Sequence, residues 1–102
     1  MIELKNDRDV HDRNVEMTLH IPDGLVFKLF VSISSDLSFS ISDDNRTVKV
    51  ERISEMRAGG TRTFRVELEG QQVGRWPFRV EVSSLRTPQA ISVVEETLVT
   101  EN

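Results

Sequence analysis

Apolar and polar residues alternate along most of the chain, a spacing that places every second side chain on one face of a β-strand. The alternation falls into about seven segments, at residues 15–21, 25–33, 37–41, 48–53, 64–68, 78–82 and 91–99. No stripe with the i, i+3, i+4 spacing of an amphipathic helix persists for three turns. The pattern therefore predicts an all-β chain of about seven antiparallel strands, with no helix longer than one turn.

Turn-forming residues separate these segments at intervals of about ten residues, which is typical of a β-sandwich or a β-barrel. The predicted turns are Pro22-Asp23-Gly24, Ser34-Ser35-Asp36, Asp43-Asp44-Asn45-Arg46, Ala58-Gly59-Gly60, residues 70–74 and residues 85–89. Ile53 lies one residue out of phase with Val48 and Val50, which predicts a β-bulge near Arg52.

Composition narrows the class of protein. The length of 102 residues suits one domain, spanning 1–102, and the net charge of -4 argues against nucleic-acid binding. The absence of cysteine excludes a disulfide, a thiolate metal site and a thiol nucleophile. No apolar run approaches the roughly 18 residues of a membrane span, and no signal peptide is recognisable. The chain is therefore either cytoplasmic or one module of a longer secreted protein, and we do not expect membrane insertion.

Two segments carry a family likeness. The first runs from Lys5-Asn6-Asp7 through Asn14-Val15 to Ile21-Pro22-Asp23-Gly24-Leu25-Val26-Phe27, and the second from Ile53 through Met56-Arg57-Ala58-Gly59-Gly60-Thr61. Together with the strands that follow, they resemble the conserved-repeat domain of bacterial and archaeal surface proteins, the domain of unknown function numbered eleven. The chain departs from that family at Asp7-Arg8, where a small residue and glycine are usual. The family also has an additional strand before the one that matches Ile2 to Lys5, whereas here the chain starts at Met1.

The resemblance implies an immunoglobulin-like β-sandwich, often present in tandem copies on exported proteins, with no known catalytic residues. It implies that the chain is a fragment of a larger exported protein, located in the cell envelope or secreted. The expected partners are neighbouring domains of the same polypeptide or another surface protein.

The resemblance also bears on one strand pairing. Spacing alone allows residues 64–69 and 76–82 to form a hairpin in which Arg65 faces Glu81 and Glu67 faces Arg79. An immunoglobulin-like topology would place these segments in opposite sheets instead. We expect the opposite-sheet arrangement.

Residues that could support catalysis are few. His11 lies in a charged loop, His20 lies on the polar face of a strand, and no Gly-x-Ser-x-Gly motif accompanies the serines. Catalysis needs a nucleophile, a base and an orienting group together. We therefore expect no enzymatic activity and no cofactor.

Oxygen ligands suitable for calcium occur in two loops. The candidate ligands are Asp7, Asp9, Asp12 and Asn14 in one loop, and Asp43, Asp44 and Asn45 in the other. Their spacing fits no defined calcium-binding loop, and Arg8, Arg13 and Arg46 lie among them. We expect solvated loop charges without a metal, and calcium binding is the alternative.

Three apolar residues are candidates for an interaction surface: Val26, Phe30 and Trp76. The segment 26–31 is apolar on both faces, and if Phe27, Leu29 and Val31 point inward, Val26 and Phe30 point outward. We expect a loop of this domain to cover them; a neighbouring module, a partner strand or the chain's own termini are the alternatives. Trp76 is the only tryptophan and there is no tyrosine, so packing over a sandwich end is expected rather than glycan binding.

These observations favour a non-catalytic spacer or adhesion-type module of a larger bacterial surface or secreted protein. The alternative is an accessory module that binds calcium or a glycan at its end loops.

Overall fold

The computed structural model describes residues 2–6, 8–33 and 37–100, and within these ranges it contains nine strands and no helix. The strands are β1 (Ile2–Lys5), β2 (Asp12–His20), β3 (Leu25–Ser32), β4 (Phe39–Ile41), β5 (Thr47–Val50), β6 (Ile53–Met56), β7 (Thr61–Gly70), β8 (Gly74–Ser83) and β9 (Ile91–Val99). The predicted all-β class is confirmed. The number of strands exceeds seven because β1 forms separately and the segment 48–53 is divided between β5 and β6. The bend predicted at Ser34-Ser35-Asp36 lies outside the described residues.

The strands form two antiparallel sheets that pack together as a β-sandwich. The smaller sheet has the order β1-β7-β3, and the larger has the order β4-β5-β2-β8-β9, with β6 also paired to β2. The sandwich is thus confirmed, while its immunoglobulin-like identity stays a prediction.

Strands β7 and β8 follow each other in sequence but lie in opposite sheets, as we expected. The hairpin ion pairs are therefore not formed. Arg65 pairs instead with Glu67 on its own strand, and the Arg79 guanidinium lies 3.1 Å from Glu81 on β8. Exposed pairs of this kind contribute little to stability, so apolar burial decides the arrangement.

Strands β5 and β6 lie end to end along one edge of β2. Val48 pairs with Leu19, whereas Ile53 pairs with Val15, so the register advances by one residue between them. The extra residue is accommodated near Arg52, where the slip in phase predicts a bulge. Both Val48 and Ile53 consequently face the core.

A bulge at Lys28 in β3 changes which side chains enter the core. Phe27 pairs with Leu68, but Leu29 pairs with Glu67, so one residue of β3 has no counterpart on β7. The alternation reverses beyond this point because one extra residue moves every later side chain to the other face. Phe30 is therefore only 5% exposed, while Leu29 is 41% exposed. The prediction that Phe30 points outward, with Leu29 and Val31 inward, is wrong.

The core lies between the sheets, with the largest fully buried side chains at its centre: Phe64, Leu19, Leu25 and Val48. Aromatic rings close one side of the sandwich, between β3 and β4. The Phe30 ring stacks on Phe64 with centroids 5.6 Å apart, and Phe39 lies 5.3 Å from Phe30. Phe27 adds an edge contact with Phe39 at 5.6 Å. A surface cavity of about 430 Å³ lies beside these rings and is lined by Phe30, Leu37 and Glu51 among others.

Candidate functional site

The two acidic loops lie at opposite ends of β2. Asp9 and Asp12 lie at its start, whereas the turn that contains Asp43 and Asp44 lies at its end, where the Ile21 N–H donates to the Arg46 carbonyl over 2.8 Å. A strand of this length spans roughly 25–30 Å. Asp7 falls outside the described residues. Among the residues that are described, no group of three or more carboxylates and histidines is arranged to hold a metal.

The carboxylate of Asp44 organises its own turn. It accepts hydrogen bonds from Ser42 Oγ at 2.5 Å and from the Arg46 N–H at 3.0 Å. The Ser42 bond is the main cause that holds the pKa of Asp44 below its ordinary value of 3.8. The Arg46 guanidinium in turn donates to the carbonyls of Pro22 and Leu25, at 2.8 and 2.7 Å, so it fixes the turn between β2 and β3.

Asp12 joins the start of β2 to the loop after β8. Its carboxylate accepts hydrogen bonds from Ser84 Oγ at 2.6 Å, the Arg13 N–H at 2.9 Å and the Arg86 N–H at 3.2 Å. Partial burial opposes ionisation, but these bonds and the nearby charge of Arg8 outweigh it and hold the pKa of Asp12 below 3.8. The carboxylate thus has a structural function that requires no metal.

We expect the Asp12→Asn substitution to weaken the acid sensitivity of the fold. A carboxylate whose native pKa is lowered stabilises the fold above its unfolded pKa of about 4, and this contribution is lost as pH falls through the lower native pKa. The variant should lose about 1 kcal/mol at pH 7, and its melting temperature should fall less than that of the wild type between pH 5 and pH 2. Asp9→Asn is the control. An unchanged pH profile for Asp12→Asn would contradict this role.

Asp9 lies among cationic residues. It lines a surface cavity of about 520 Å³ together with His11, Arg13 and Arg86. These arginines would oppose a bound cation, so this loop offers no arrangement that favours calcium.

Neither histidine is placed as a catalytic base toward a described serine. His11 Nδ1 accepts a hydrogen bond from the Ala58 N–H at 3.0 Å. His20 Nε2 lies 3.3 Å from Glu81 Oε1 without hydrogen-bond geometry. The Ser84 hydroxyl donates to Asp12, and a carboxylate alone does not complete a nucleophilic site.

Asn6 is a buried polar residue whose structural role was not predicted from the sequence. Its Nδ2 group donates to the carbonyls of Val10, Met56 and Arg57 at 2.9, 3.1 and 3.2 Å, and its Oδ1 accepts from the Arg8 N–H at 3.2 Å. The amide therefore connects the end of β1 to two other stretches of backbone, at residues 8–10 and 56–57. Asn6 belongs to the Lys5-Asn6-Asp7 motif of the family likeness, but an asparagine at a strand end is also common in solvated loops, so the motif does not indicate that its side chain is buried.

We expect Asn6→Asp to destabilise the fold more than Asn6→Ala. Alanine leaves buried carbonyls unsatisfied, at a cost of about 1–3 kcal/mol, whereas aspartate adds a negative oxygen facing those carbonyls. Urea denaturation at pH 7 measures both differences. If the aspartate variant is as stable as the wild type, the amide does not donate to these carbonyls.

The three candidate interaction residues occupy different environments. Phe30 is in the core, and Val26 is half-buried on β3. Trp76 is half-buried, packs against the core and donates from Nε1 to the Gln72 carbonyl at 2.9 Å. Its ring also lies directly over Gly24, where an added Cβ would be 1.8 Å from Trp76 Cε2. The indole covers a sandwich end, and its face is occupied by the turn before β3.

An exposed apolar strip on β9 was not identified from the sequence. Its members are Ile91, Val93, Val94 and Leu98, each more than half exposed. Ile91 and Val93 pair with Val82 and Val80, which pack against the core, so they lie on the inner face of the larger sheet. They remain exposed because no described strand of the smaller sheet extends over them.

We call the region between β1 and β9 the open side of the sandwich. Two cavities of about 330 and 240 Å³ lie there, and both are lined by Glu3, Leu4, Val82 and Val93. Strand β1 ends the smaller sheet and β9 ends the larger one in the described part of the chain. Both edges therefore present backbone groups that no described strand pairs.

No protein family, curated protein or solved structure matches this chain. Within the described ranges, no helix has the length and apolar character needed to cross a membrane.

Proposed function

We propose that the chain is a non-catalytic structural module, of spacer or adhesion type, within a larger bacterial cell-surface or secreted protein. The observation that supports it is the apolar strip on β9, an edge strand of nine residues. Isolated soluble domains usually protect long apolar edges, because such edges pair readily with other chains. A neighbouring domain or a second protein would bury this strip.

The shape of the sandwich also suits a spacer. Its principal extents are 47 × 22 × 21 Å, so it is about twice as long as it is wide. The extracytoplasmic location rests on the resemblance of Pro22-Asp23-Gly24 and Ala58-Gly59-Gly60 to repeats of surface proteins. A cysteine-free chain is compatible with that location.

Thermal melting tests this proposal against the accessory-module alternative. A ligand at 100 times its Kd would stabilise the fold by about 2.7 kcal/mol. We expect the melting temperature to be the same in millimolar calcium, in a calcium chelator and with soluble cell-wall glycans. A rise of several degrees with calcium or one glycan would contradict a purely structural role and favour the accessory module.

A further inference from the structure

The open side of the sandwich has the features of a strand-binding groove. Its floor is the inner face of β9, where Ile91 is 56% exposed and Val93 is 62% exposed. Its wall is β1, whose Ile2 and Leu4 pack against the core. On the opposite side the Phe27, Phe30 and Phe39 rings are in contact, and a separate surface cavity of about 430 Å³ beside them is lined by Phe30, Leu37 and Glu51 among others.

The backbone of β1 presents to this groove hydrogen-bonding groups that no described strand pairs. The Asn6 N–H donates to the Gly60 carbonyl at 2.9 Å, and the Asn6 carbonyl accepts from the Gly59 N–H at 2.8 Å. Since this pattern alternates along an antiparallel strand, Leu4 and Ile2 also bond toward β7. The N–H and C=O groups of Glu3 and Lys5 then point to the edge that no described strand occupies.

Acidic residues define the charge of the groove near its centre. The 330 Å³ cavity is lined by Lys5 and Arg8 as well as by Glu3 and Asp12, so its charges balance. The 240 Å³ cavity is lined by Glu3 and Glu95, and no described basic residue lines it. An incoming segment with lysine or arginine at this level would therefore be attracted, and an acidic one repelled.

We propose that the open side binds an extended, basic segment of a partner polypeptide, which adds to the smaller sheet as a strand beside β1. Backbone bonds to Glu3 and Lys5 provide affinity, and alternate apolar side chains cover Ile91 and Val93. A basic side chain on the same face of the segment as these apolar side chains lies near Glu95, which shares the inner face of β9 with Val93. Strand addition of this kind recognises the alternating pattern of side chains along the segment rather than one side chain. The inference rests on the proposed structural function and specifies where that module makes its contact.

A second copy of the chain fits this groove less well. Its own apolar edge strand, β9, carries Glu95 and Glu96 at the centre, which would meet the acidic residues of the groove. In an antiparallel pair of β9 strands centred on Glu95, the two Glu95 residues would face each other, and facing like charges are destabilising. The net charge of -4 adds repulsion between copies.

The test uses the whole chain, isotopically labelled. A short synthetic peptide with valine, valine and lysine at alternate positions and threonine between them is titrated into it, and binding is followed by nuclear magnetic resonance. The expected result is saturable shifts of the Glu3, Lys5 and Val93 amides. A peptide with glutamate in place of lysine should bind at least tenfold more weakly. The Glu95→Lys variant should reduce the difference in affinity between the lysine peptide and the glutamate peptide.

Matched variants on β9 locate the binding face. Val93→Arg places a charge on the inner face and should weaken binding at least tenfold, whereas Val94→Arg, on the outer face of the same strand, should leave it unchanged. Both positions are exposed, so both variants should fold, which the dispersion of their spectra verifies. Ile91→Ser gives a second inner-face variant that carries no charge.

Four results would overturn the proposal. They are no shifts at millimolar peptide, shifts confined to Val94 and Leu98, equal weakening by both arginine variants, and shifts that depend on protein concentration without peptide. The last result would indicate a second copy as the occupant. None of them alters the calcium and glycan melting result, so failure of this site is distinguishable from failure of the structural role.

Discussion

Replacing Phe64 with alanine is expected to lower the free energy of unfolding by about 3–5 kcal/mol. Phe64 is fully buried on β7, pairs with Ile2 on one side and Ser32 on the other, and stacks on Phe30. Truncation removes apolar burial and leaves a cavity that strands fixed on both sides cannot fill.

Urea denaturation measures the Phe64→Ala effect, with Leu85→Ala as the control. Leu85 is an exposed loop residue, and its truncation should change stability by about 0.5 kcal/mol or less. Since a domain of this size has a total stability of about 5–15 kcal/mol, the Phe64 variant could be largely unfolded, which circular dichroism detects. A loss below about 1 kcal/mol would mean that Phe64 is not at the centre of the core.

Substitutions at Phe30 and Leu29 distinguish between two orientations of β3. With the bulge at Lys28, Phe30→Ala should cost about 3–5 kcal/mol, because Phe30 is buried against Phe64 and Phe39. Leu29→Ala should cost about 1 kcal/mol or less, because its side chain is on the outer face.

Denaturation of both variants under the same conditions gives the comparison. The regular alternation expected from sequence places Leu29 inward, and it therefore requires a larger loss of stability for Leu29→Ala than for Phe30→Ala. A larger loss for Leu29→Ala than for Phe30→Ala would therefore place the bulge elsewhere and contradict the register of β3 and β7.

The parts of the fold that could be predicted from sequence are strands with one polar face. Along β2 and the residue after it, polar residues alternate with the apolar residues from Val15 to Ile21, so only one face of the strand can enter the core. All four apolar side chains on that face are buried. The last strand was expected around 91–99 and spans Ile91–Val99. Turns containing glycine or proline could also be predicted from sequence, since few residues adopt the positive φ seen at Gly59.

The register of β3 could not be predicted, because both of its faces are apolar. Alternation specifies a face only where the other face is polar. Either Leu29 or Phe30 could enter the core on sequence grounds, and the choice depends on rings contributed by β4 and β7, far away in sequence.

The candidate site, like the register of β3, could be predicted only in part from the sequence. Sequence identifies Asp12 and Asp44 as oxygen ligands, but it does not reveal that hydroxyl and backbone donors already occupy those oxygens. Similarly, Ile91 and Val93 have the pattern of core residues. Their exposure depends on how far the opposite sheet extends, which no local pattern encodes.

Strands β7 and β8 lie in opposite sheets, and this separation makes β1 and β9 the borders of the open side. Cross-strand nuclear Overhauser effects between backbone protons test it most directly. The fold predicts contacts between Glu3 and Thr63 and between Glu16 and Ser83, the pairs that join β1 to β7 and β2 to β8. Contacts between Arg65 and Glu81 would instead indicate a β7–β8 hairpin in one sheet, and the open side would not exist.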